Sequence, residues 1–352
     1  MRGELQRIVS GSHGRLRCSM LCLLVLAGLA AGAGTPGAQA ASSPPAAAGS
    51  IRLSLGNVYG DPTFGLAGER LVISGVVNPW VAGQRVTVRV FRDGHKVYVR
   101  AVRVRGGGPQ GSGRFELGYT SAQPGELIVR AVHPATAAQG QISAPARHLP
   151  LYSPDVAFGA QGRVVRALQD KLAALHYSVA LDNTFDDATA FAVLAYRKLT
   201  GEPLVTSADA RMFTDLSRGA GTFHVRYPRD GRHVEADLTK QVLAEIQGGR
   251  VVNIYDMSSG KPSTPTVVGH FSVYTKTLGI NQKGMVDSNY FIRGYAIHGY
   301  ADVPNYAASH GCLRIPILDA LAVYDWVQIG NVVDVYNDGG GGSTNAQGNA
   351  GP

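Results

Sequence analysis

The chain has 352 residues, with 33 lysines and arginines against 25 acidic residues, which gives a formal net charge of +8. This length suits two or three domains of roughly 100 to 200 residues each. No cluster of basic residues is interleaved with aromatic residues, so nucleic acid is excluded as an expected partner.

The first 40 residues resemble a secretory signal. Arg15 and Arg17 precede the apolar run "MLCLLVLAGLAAGAG", and Ala38–Ala40 ("AQA") has the small residues that signal peptidase requires. The alternative is an uncleaved anchor, but the strongly apolar part is shorter than the roughly 20 residues of a spanning helix. We therefore predict a signal peptide over 1–40, no stable membrane insertion after cleavage, and a location in the cell wall, the periplasmic space or outside the cell.

Cleavage would leave a single thiol. Cys18 and Cys22 lie in the signal, so Cys312 would be the only cysteine of the exported protein, and the net charge would fall to +5. Exported proteins use cysteine mainly in disulfide pairs. A single cysteine therefore indicates a reactive thiol, an intermolecular bridge or an inert buried residue.

The next segments are a spacer and a β-rich region. Residues 41–50 are small and proline-rich, which predicts a linker. Residues 51–149 contain short β-branched runs between Gly, Pro and Asn turns, and Asp93-Gly94 is a type I′ hairpin signal. We predict an immunoglobulin-like β-sandwich that acts as a spacer or adhesion module. Its strands are expected at 71–77, 86–91, 96–105, 114–119 and 126–132.

Residues 150–219 predict three short helices, with Gly201 ending the second and Asp186-Asp187 capping its start. The stretch 159–201 resembles the three-helix peptidoglycan-binding domain found beside many bacterial wall enzymes, although Asn183 and Arg197 replace its usual Gly and Gln. The positions that carry this resemblance are Gln169, Leu172, Tyr177, Asp182, Phe185, Thr189, Val193 and Tyr196. The resemblance implies glycan binding.

Residues 220–337 return to strand-like runs, at 250–257, 266–276, 289–299 and 331–337, with one helix between them. Apolar spacing in that helix, "PILDALAVYDWVQIG", predicts that Leu318, Leu321, Ala322 and Val327 face the core. His270 is expected to be an ordinary strand histidine. The glycine-rich residues 338–352 predict a disordered tail.

The residues around Cys312 suit nucleophilic catalysis. An imidazole close to a thiol can take its proton, lower its pKa and later protonate a leaving amine. His298 ends a strand-like run and Cys312 precedes the helix, so one loop could bring them together. Gly299 and Gly311 allow the close backbone approach that such a loop and an oxyanion hole need.

"GYAIHG" followed by "SHGCLR" resembles the catalytic domain of bacterial L,D-transpeptidases, and "NIYDMSSGKPSTPTVVGHFSVYTK" resembles its upstream strand pair, with Val267 in place of the usual proline. The resemblance implies a mainly β catalytic domain with one or two helices. It makes Cys312 the nucleophile and His298 the base, oriented by the carbonyl of Gly299.

The remaining motif positions would shape the site. The resemblance and the loop chemistry suggest the amides of Gly311 and Cys312 as oxyanion donors, and Ser309 and His310 as residues that shape the loop. Arg314 would brace the loop or meet a substrate carboxylate, because its planar fork suits carboxylates. Tyr290 would line the groove for the acyl donor, with core packing as the alternative.

The implied reaction joins two peptidoglycan stems by a 3→3 cross-link. Cys312 would form a thioester with a tetrapeptide stem, release its terminal D-alanine, and pass the acyl group to an amine of a neighbouring stem. Carbapenem-type inhibitors would acylate the same thiol, and no metal or organic cofactor is implied. Three alternatives stay open: an L,D-carboxypeptidase with water as acceptor, a zinc peptidase with His298, His310 and Cys312 as ligands, and a non-catalytic wall-binding protein.

Overall fold

The computed structural model describes residues 48–338. The predicted signal peptide, most of the predicted linker and nearly all of the predicted tail lie outside these described residues. Among the described helices, none has the length and apolar character to cross a membrane. The described chain is mainly β, with four α-helices.

The first region consists of two sheets that enclose one apolar core. Its strands are β1 Ser50–Gly56, β2 Gly65–Leu66, β3 Arg70–Asn78, β4 Arg85–Arg92, β5 His95–Arg103, β6 Arg105–Gly106, β7 Gly113–Thr120, β8 Gly125–His133, β9 Ile142–Ser143 and β10 Arg147–Tyr152. One sheet has the order β1-β3-β7-β6, and the other β2-β10-β8-β4-β5 with β9 beside β8. Alternate side chains of both sheets meet in the core, as a period of two requires.

Five of these strands lie where the sequence predicts them. The turn between β4 and β5 is also confirmed, since Asp93 and Gly94 both have positive φ angles, 50° and 82°. β10 continues to Tyr152, so the first region extends past the predicted boundary at 149. The immunoglobulin-like assignment stays a prediction.

The second region holds three helices. Its elements are β11 Val156–Ala157, α1 Arg163–Ala174, α2 Asp187–Thr200, β12 Ser207–Ala208 and α3 Ala210–Ser217. The side chain of Asp186 accepts a hydrogen bond from the Thr189 amide, and Gly201 ends α2 with a φ angle of 73°. Both predicted caps of α2 are therefore confirmed.

The third region consists of two sheets and one helix. Its elements are β13 Arg232–Asp237, β14 Val242–Gln247, β15 Arg250–Asp256, β16 Gly269–Ser272, β17 Thr275–Ile280, β18 Val286–Ile292, β19 Tyr295–Tyr300, β20 Leu313–Pro316, α4 Ile317–Trp326 and β21 Val332–Tyr336. The five-stranded sheet has the order β15-β14-β13-β21-β16, and the four-stranded sheet β17-β18-β19-β20. The run 289–299, predicted as one strand, is broken by a turn at Arg293-Gly294 into β18 and β19.

The predicted inner face of α4 is wrong for Leu318, Leu321 and Ala322, which are exposed, and is confirmed for Val327, which is buried. Leu318 and Leu321 are 48% and 53% exposed, whereas Ala320 and Val323 are buried. The small Ala320 lets the helix approach β19, because a Cβ on Gly299 would stand 2.6 Å from that of Ala320. Close packing against a glycine fixes this face of the helix more strongly than the size of its apolar residues.

One face of the five-stranded sheet has two parts of different character. On β14, Val242, Ala244 and Ile246 share a continuous core with the three helices, and this core also includes Phe64 and Leu66 of the first region. The same face carries three ionisable side chains on β13 and a mixed set on β21, namely His233, Glu235 and Asp237, and Val332, Asp334 and Tyr336. The opposite face of the sheet packs against the four-stranded sheet and α4.

Candidate active site

His298 and Cys312 lie on neighbouring chain segments of the four-stranded sheet. β19 and β20 pair in parallel, with Ile297 opposite Leu313 and His298 opposite Arg314. Cys312 directly precedes β20, so it lies beside Ala296, two residues from His298. Gly299 faces α4, and alternation along β19 therefore turns His298 and Ala296 to the other side of the sheet. The fold thus brings the two predicted catalytic residues to one face.

The imidazole of His298 is buried and held by the backbone. Its Nδ1 atom lies 2.9 Å from the carbonyl oxygen of Gly299. His298 as a whole is only 3% exposed. A carbonyl oxygen can only accept, so Nδ1 donates and Nε2 keeps its lone pair. Burial lowers the pKa of His298 to about 4, against the opposing effect of the Gly299 carbonyl, and the charge of Arg314 lowers it further.

Cys312 is partly buried, and its thiol is not activated in this structure. Burial raises the pKa of the Cys312 thiol above its ordinary value, while an Ala296 backbone hydrogen bond and the charges of Arg314 and Lys283 act in the opposite direction. Among the hydrogen bonds of the described residues, the Sγ atom contacts the Gly294 carbonyl oxygen at 3.8 Å, and none joins it to His298. The sequence-based expectation of a lowered thiol pKa is therefore wrong for this state, because desolvation outweighs the nearby positive charges.

Ser309 organises the loop before Cys312. Its hydroxyl donates to the Cys312 carbonyl oxygen at 2.6 Å and accepts from the Gly311 amide at 3.0 Å. In this conformation Ser309 occupies the Gly311 amide, which is the amide predicted as an oxyanion donor. Gly311 is still required, because its φ angle is 114° and an added Cβ would lie 2.5 Å from the Tyr295 ring.

The upstream motif residues lie directly behind this loop. Ser309 donates from its amide to the Ser259 carbonyl at 2.9 Å, and its own carbonyl accepts from the Lys261 amide at 2.9 Å. Gly260 leaves no room for a side chain here, because a Cβ would stand 2.4 Å from the Thr264 carbonyl oxygen. The two stretches that carry the sequence resemblance are thus joined by backbone hydrogen bonds.

His310 forms no hydrogen bond with His298 or Cys312 among the described residues. It is exposed, and its Nε2 atom is 3.2 Å from the Nζ atom of Lys261. This placement suits the predicted role in shaping the loop.

Arg314 is held on the same face as His298. Its guanidinium lies 4.1 Å from the centre of the Tyr300 ring and 3.7 Å from the Asp302 carboxylate. Tyr300 in turn meets the His298 ring edge to face, at 5.6 Å between ring centres. Tyr300 was not predicted as a site residue, although its position two residues after His298 on a strand places both side chains on one face.

Tyr290 lies one strand further from the thiol. It pairs with Ala296 across β18 and β19, is partly buried, and has its hydroxyl 3.4 Å from the Asn281 side chain. It also packs near Tyr274, at 6.4 Å between ring centres. These contacts place Tyr290 on the face that carries Cys312, at its side rather than its centre.

The zinc-peptidase alternative finds no support in the geometry. Within residues 48–338, the side chains that come close enough to share a metal ion are Asp230, His270 and Asp334, and not His298, His310 and Cys312. The Nδ1 atom of His298 is also occupied by the Gly299 carbonyl.

One protein-family model matches the third region of the chain. Residues 231–335 match the family model described as YkuD, the L,D-transpeptidase catalytic domain. No curated protein matches the chain.

Several solved structures are similar to the chain. An L,D-transpeptidase from Xylanimonas cellulosilytica is 32% identical over 51% of this chain and 97% of that chain, with a TM-score of 0.49. The catalytic domain of the Enterococcus faecium L,D-transpeptidase is 27% identical over 30% of this chain and 98% of that chain, with a TM-score of 0.27. The same domain acylated by ertapenem is 27% identical over 30% and 97% of the two chains, with a TM-score of 0.26.

Proposed function

Because this chain belongs to the L,D-transpeptidase family through the region 231–335, we propose that it forms 3→3 cross-links in peptidoglycan by way of a thioester on Cys312. The observation that carries this proposal is the arrangement of His298 and Cys312 on one face of two adjacent parallel strands, with His298 Nδ1 held by the Gly299 carbonyl. This arrangement leaves Nε2 as the ring nitrogen that can take a proton.

The first step joins the stem to the enzyme. As the Cys312 sulfur attacks the carbonyl carbon of the third stem residue, its proton passes to His298 Nε2. The tetrahedral intermediate then collapses, the bond to the terminal D-alanine breaks, and the imidazolium gives its proton to the departing amine. The product is a thioester between Cys312 and the shortened stem.

The second step transfers the acyl group. A side-chain amine of a neighbouring stem attacks the thioester carbonyl and loses a proton to His298. The sulfur leaves and regains a proton, and an amide bond joins the two stems. If water replaces the amine, the same site acts as an L,D-carboxypeptidase.

The resting site is expected to hold a neutral thiol and a neutral imidazole. Burial disfavours both the thiolate and the imidazolium, as the raised pKa of Cys312 and the lowered pKa of His298 indicate. Proton transfer would therefore accompany the attack of the sulfur on the substrate.

The positive charges near the thiol suit an anionic donor. Arg314 and Lys283 both act on the thiol electrostatically, and a tetrapeptide stem ends in a carboxylate. With the Gly311 amide held by Ser309, we assign the Cys312 amide as the oxyanion donor of this loop. Tyr290 would line the side of the donor groove.

Mass spectrometry of the protein with a disaccharide-tetrapeptide tests the proposal. The wild type should give an acyl adduct on Cys312 and a cross-linked dimer, and Cys312→Ala should give neither. His298→Gln should slow adduct formation by about 10²- to 10⁴-fold, while the control His224→Gln, at an exposed histidine outside the site, should stay within a few-fold of the wild type. Equal loss in both histidine variants, or dimer formation without Cys312, would refute the assignment.

Two further readouts separate the details. A tripeptide product without dimer would identify water as the acceptor and favour the L,D-carboxypeptidase. A carbapenem should add its mass to the wild type and leave Cys312→Ala unchanged.

The roles of the other regions are also proposals. We propose that the protein is exported by residues 1–40, that 51–149 acts as a spacer, and that 150–219 holds glycan. Because the helices share a core with the catalytic sheet, the glycan test uses the full chain as Cys312→Ala. Failure to sediment with purified sacculi would remove the binding role.

A further inference from the structure

A row of ionisable side chains crosses the polar part of the five-stranded sheet, separate in sequence from the Cys312 loop. Strand register places Glu235 of β13 opposite Asp334 of β21, and Asp334 opposite His270 of β16. Directly opposed residues share a face of the sheet. These three side chains therefore lie on the same face of the sheet as the residues of β14 and β15 that pack against the helices.

Asp230, which precedes β13, completes a group of metal-ligand type. One donor atom each from Asp230, His270 and Asp334 lies within 4.8 Å of the other two. Asp230 and His270 are exposed and Asp334 is buried. The group is thus open to solvent on one side and anchored in the sheet on the other.

Asp334, the buried member of this group, has one carboxylate oxygen without a hydrogen-bond partner. Its side chain is completely buried, and its Oδ1 atom contacts His270 Nδ1. Its Oδ2 atom has no hydrogen-bond partner among the described residues, and His233 Nε2 lies 3.9 Å from it. A buried carboxylate oxygen without a partner costs stability, so this atom points to a ligand.

The charges in this part of the sheet are also unbalanced. Within residues 48–338, no lysine or arginine forms an ion pair with Asp230, Glu235 or Asp334. Glu235 is satisfied by the amides of Arg226 and Tyr227 and by His233. Asp230 and Asp334 are left with the imidazole of His270 and with the more distant imidazole of His233, which already contacts Glu235. A divalent cation would supply further positive charge at this point.

We propose that Asp230, His270 and Asp334 bind one divalent transition-metal ion of the zinc type. One imidazole with two carboxylates is a donor set that zinc accepts, with bound water completing its tetrahedral coordination. The ion would join the residue before β13, the middle strand β21 and the edge strand β16. Its role would be to stabilise the sheet, and the proposed acyl transfer does not depend on it.

Isothermal titration calorimetry with Zn²⁺ and thermal unfolding at saturating Zn²⁺ test this site. The protein is used without an affinity tag and as Cys312→Ala, so that the thiol cannot bind the metal. We expect one Zn²⁺ per chain and an increase of several degrees in the unfolding midpoint at saturating Zn²⁺. Co²⁺ in its place should give visible absorption bands that report its coordination geometry.

Exposed residues provide variants that should fold. Asp230→Asn and His270→Gln should each weaken zinc binding by at least about 10-fold and abolish the increase in the midpoint. The matched pair His224→Gln and Asp325→Asn changes an exposed histidine and an exposed aspartate outside the group. These two should bind zinc as the parent does.

Two results would overturn the proposal. One is a parent protein that binds no zinc, and the other is equal binding in the parent and in both site variants. Replacement of Zn²⁺ by Ca²⁺ or Mg²⁺ at similar affinity would contradict the assigned metal class.

Discussion

The buried ion pair between α2 and β15 gives a prediction about how the helices support the catalytic region. Lys198 Nζ lies 2.6 Å from Asp256 Oδ1, and the two side chains are 3% and 0% exposed. Lys198 also donates to the carbonyl oxygen of Met257 at 3.0 Å. Replacing Lys198 by Met leaves the Asp256 carboxylate buried and unpaired, which should lower the free energy of unfolding by about 3–5 kcal/mol at pH 8.

The loss should depend on pH in a defined direction. The pKa of Asp256 in the folded protein is raised by burial to about 6, above its ordinary value of 3.8, although Lys198 acts to lower it. As the pH falls through 6, the folded protein takes up a proton that the unfolded chain does not yet bind, so protonation favours folding. Removing Lys198 strengthens this uptake, and Lys198→Met should therefore be less destabilising at pH 5 than at pH 8.

Urea unfolding followed by tryptophan fluorescence measures this prediction. Trp326 ends α4 and Trp80 lies in the first region, so a Trp80→Phe background reports the catalytic region alone. Lys198→Met/Asp256→Leu should recover most of the loss, because an apolar pair can replace a buried ion pair. The control Lys96→Met, an exposed lysine of β5, should change the free energy by less than about 0.5 kcal/mol. A change below about 1 kcal/mol for Lys198→Met would refute the reasoning.

Three further predictions concern the site and α4. The raised pKa of Cys312 and the lowered pKa of His298 predict that iodoacetamide alkylates Cys312 slowly at pH 7 and faster above pH 9. An alkylation rate that stays constant from pH 6 to 8 would instead indicate a thiolate–imidazolium pair. Ser309→Ala removes the hydroxyl that joins Gly311 and Cys312. It should lower the rate of acyl-enzyme formation by about 10-fold or more, because an unsatisfied buried polar group costs about 1–3 kcal/mol. A rate equal to that of the wild type would argue against this role. Leu318→Gln should leave the free energy of unfolding within about 0.5 kcal/mol of the wild type, whereas Val323→Ala on the buried face should lower it by about 2 kcal/mol. Urea unfolding measures both variants. A larger loss for Leu318→Gln than for Val323→Ala would support the inner face that the sequence predicts.

The strands of the first region could be predicted because their signals are local. β-branched residues alternate between short turns, and the Asp93-Gly94 turn depends only on its own two residues. The face of α4 could not be predicted in the same way. Its apolar residues lie on several sides, and Gly299, which fixes the contact with Ala320, is about twenty residues away in the sequence.

The candidate site divides along similar lines. Cys312 and His298 were found from residue type and spacing, and parallel pairing of β19 with β20 brings them to one face. The direction of their pKa shifts depends on burial, which the local sequence does not record. The partner of the Gly311 amide likewise depends on how the loop folds around Ser309.

The helices were predicted as a separate module, and their packing argues for a closer relation. Most of α2 is buried, including Arg197 and Lys198, which an isolated surface helix would expose. The face of β14 that meets the helices is wholly apolar, and Met257, whose carbonyl accepts from Lys198, precedes Ser258. Ser258 exchanges two backbone hydrogen bonds with Arg314, the residue beside His298 in the sheet. A continuous set of contacts therefore runs from α2 to β20, the strand that directly follows the candidate nucleophile. Any role of the helices in binding glycan would thus be exercised by a segment that also supports the catalytic fold.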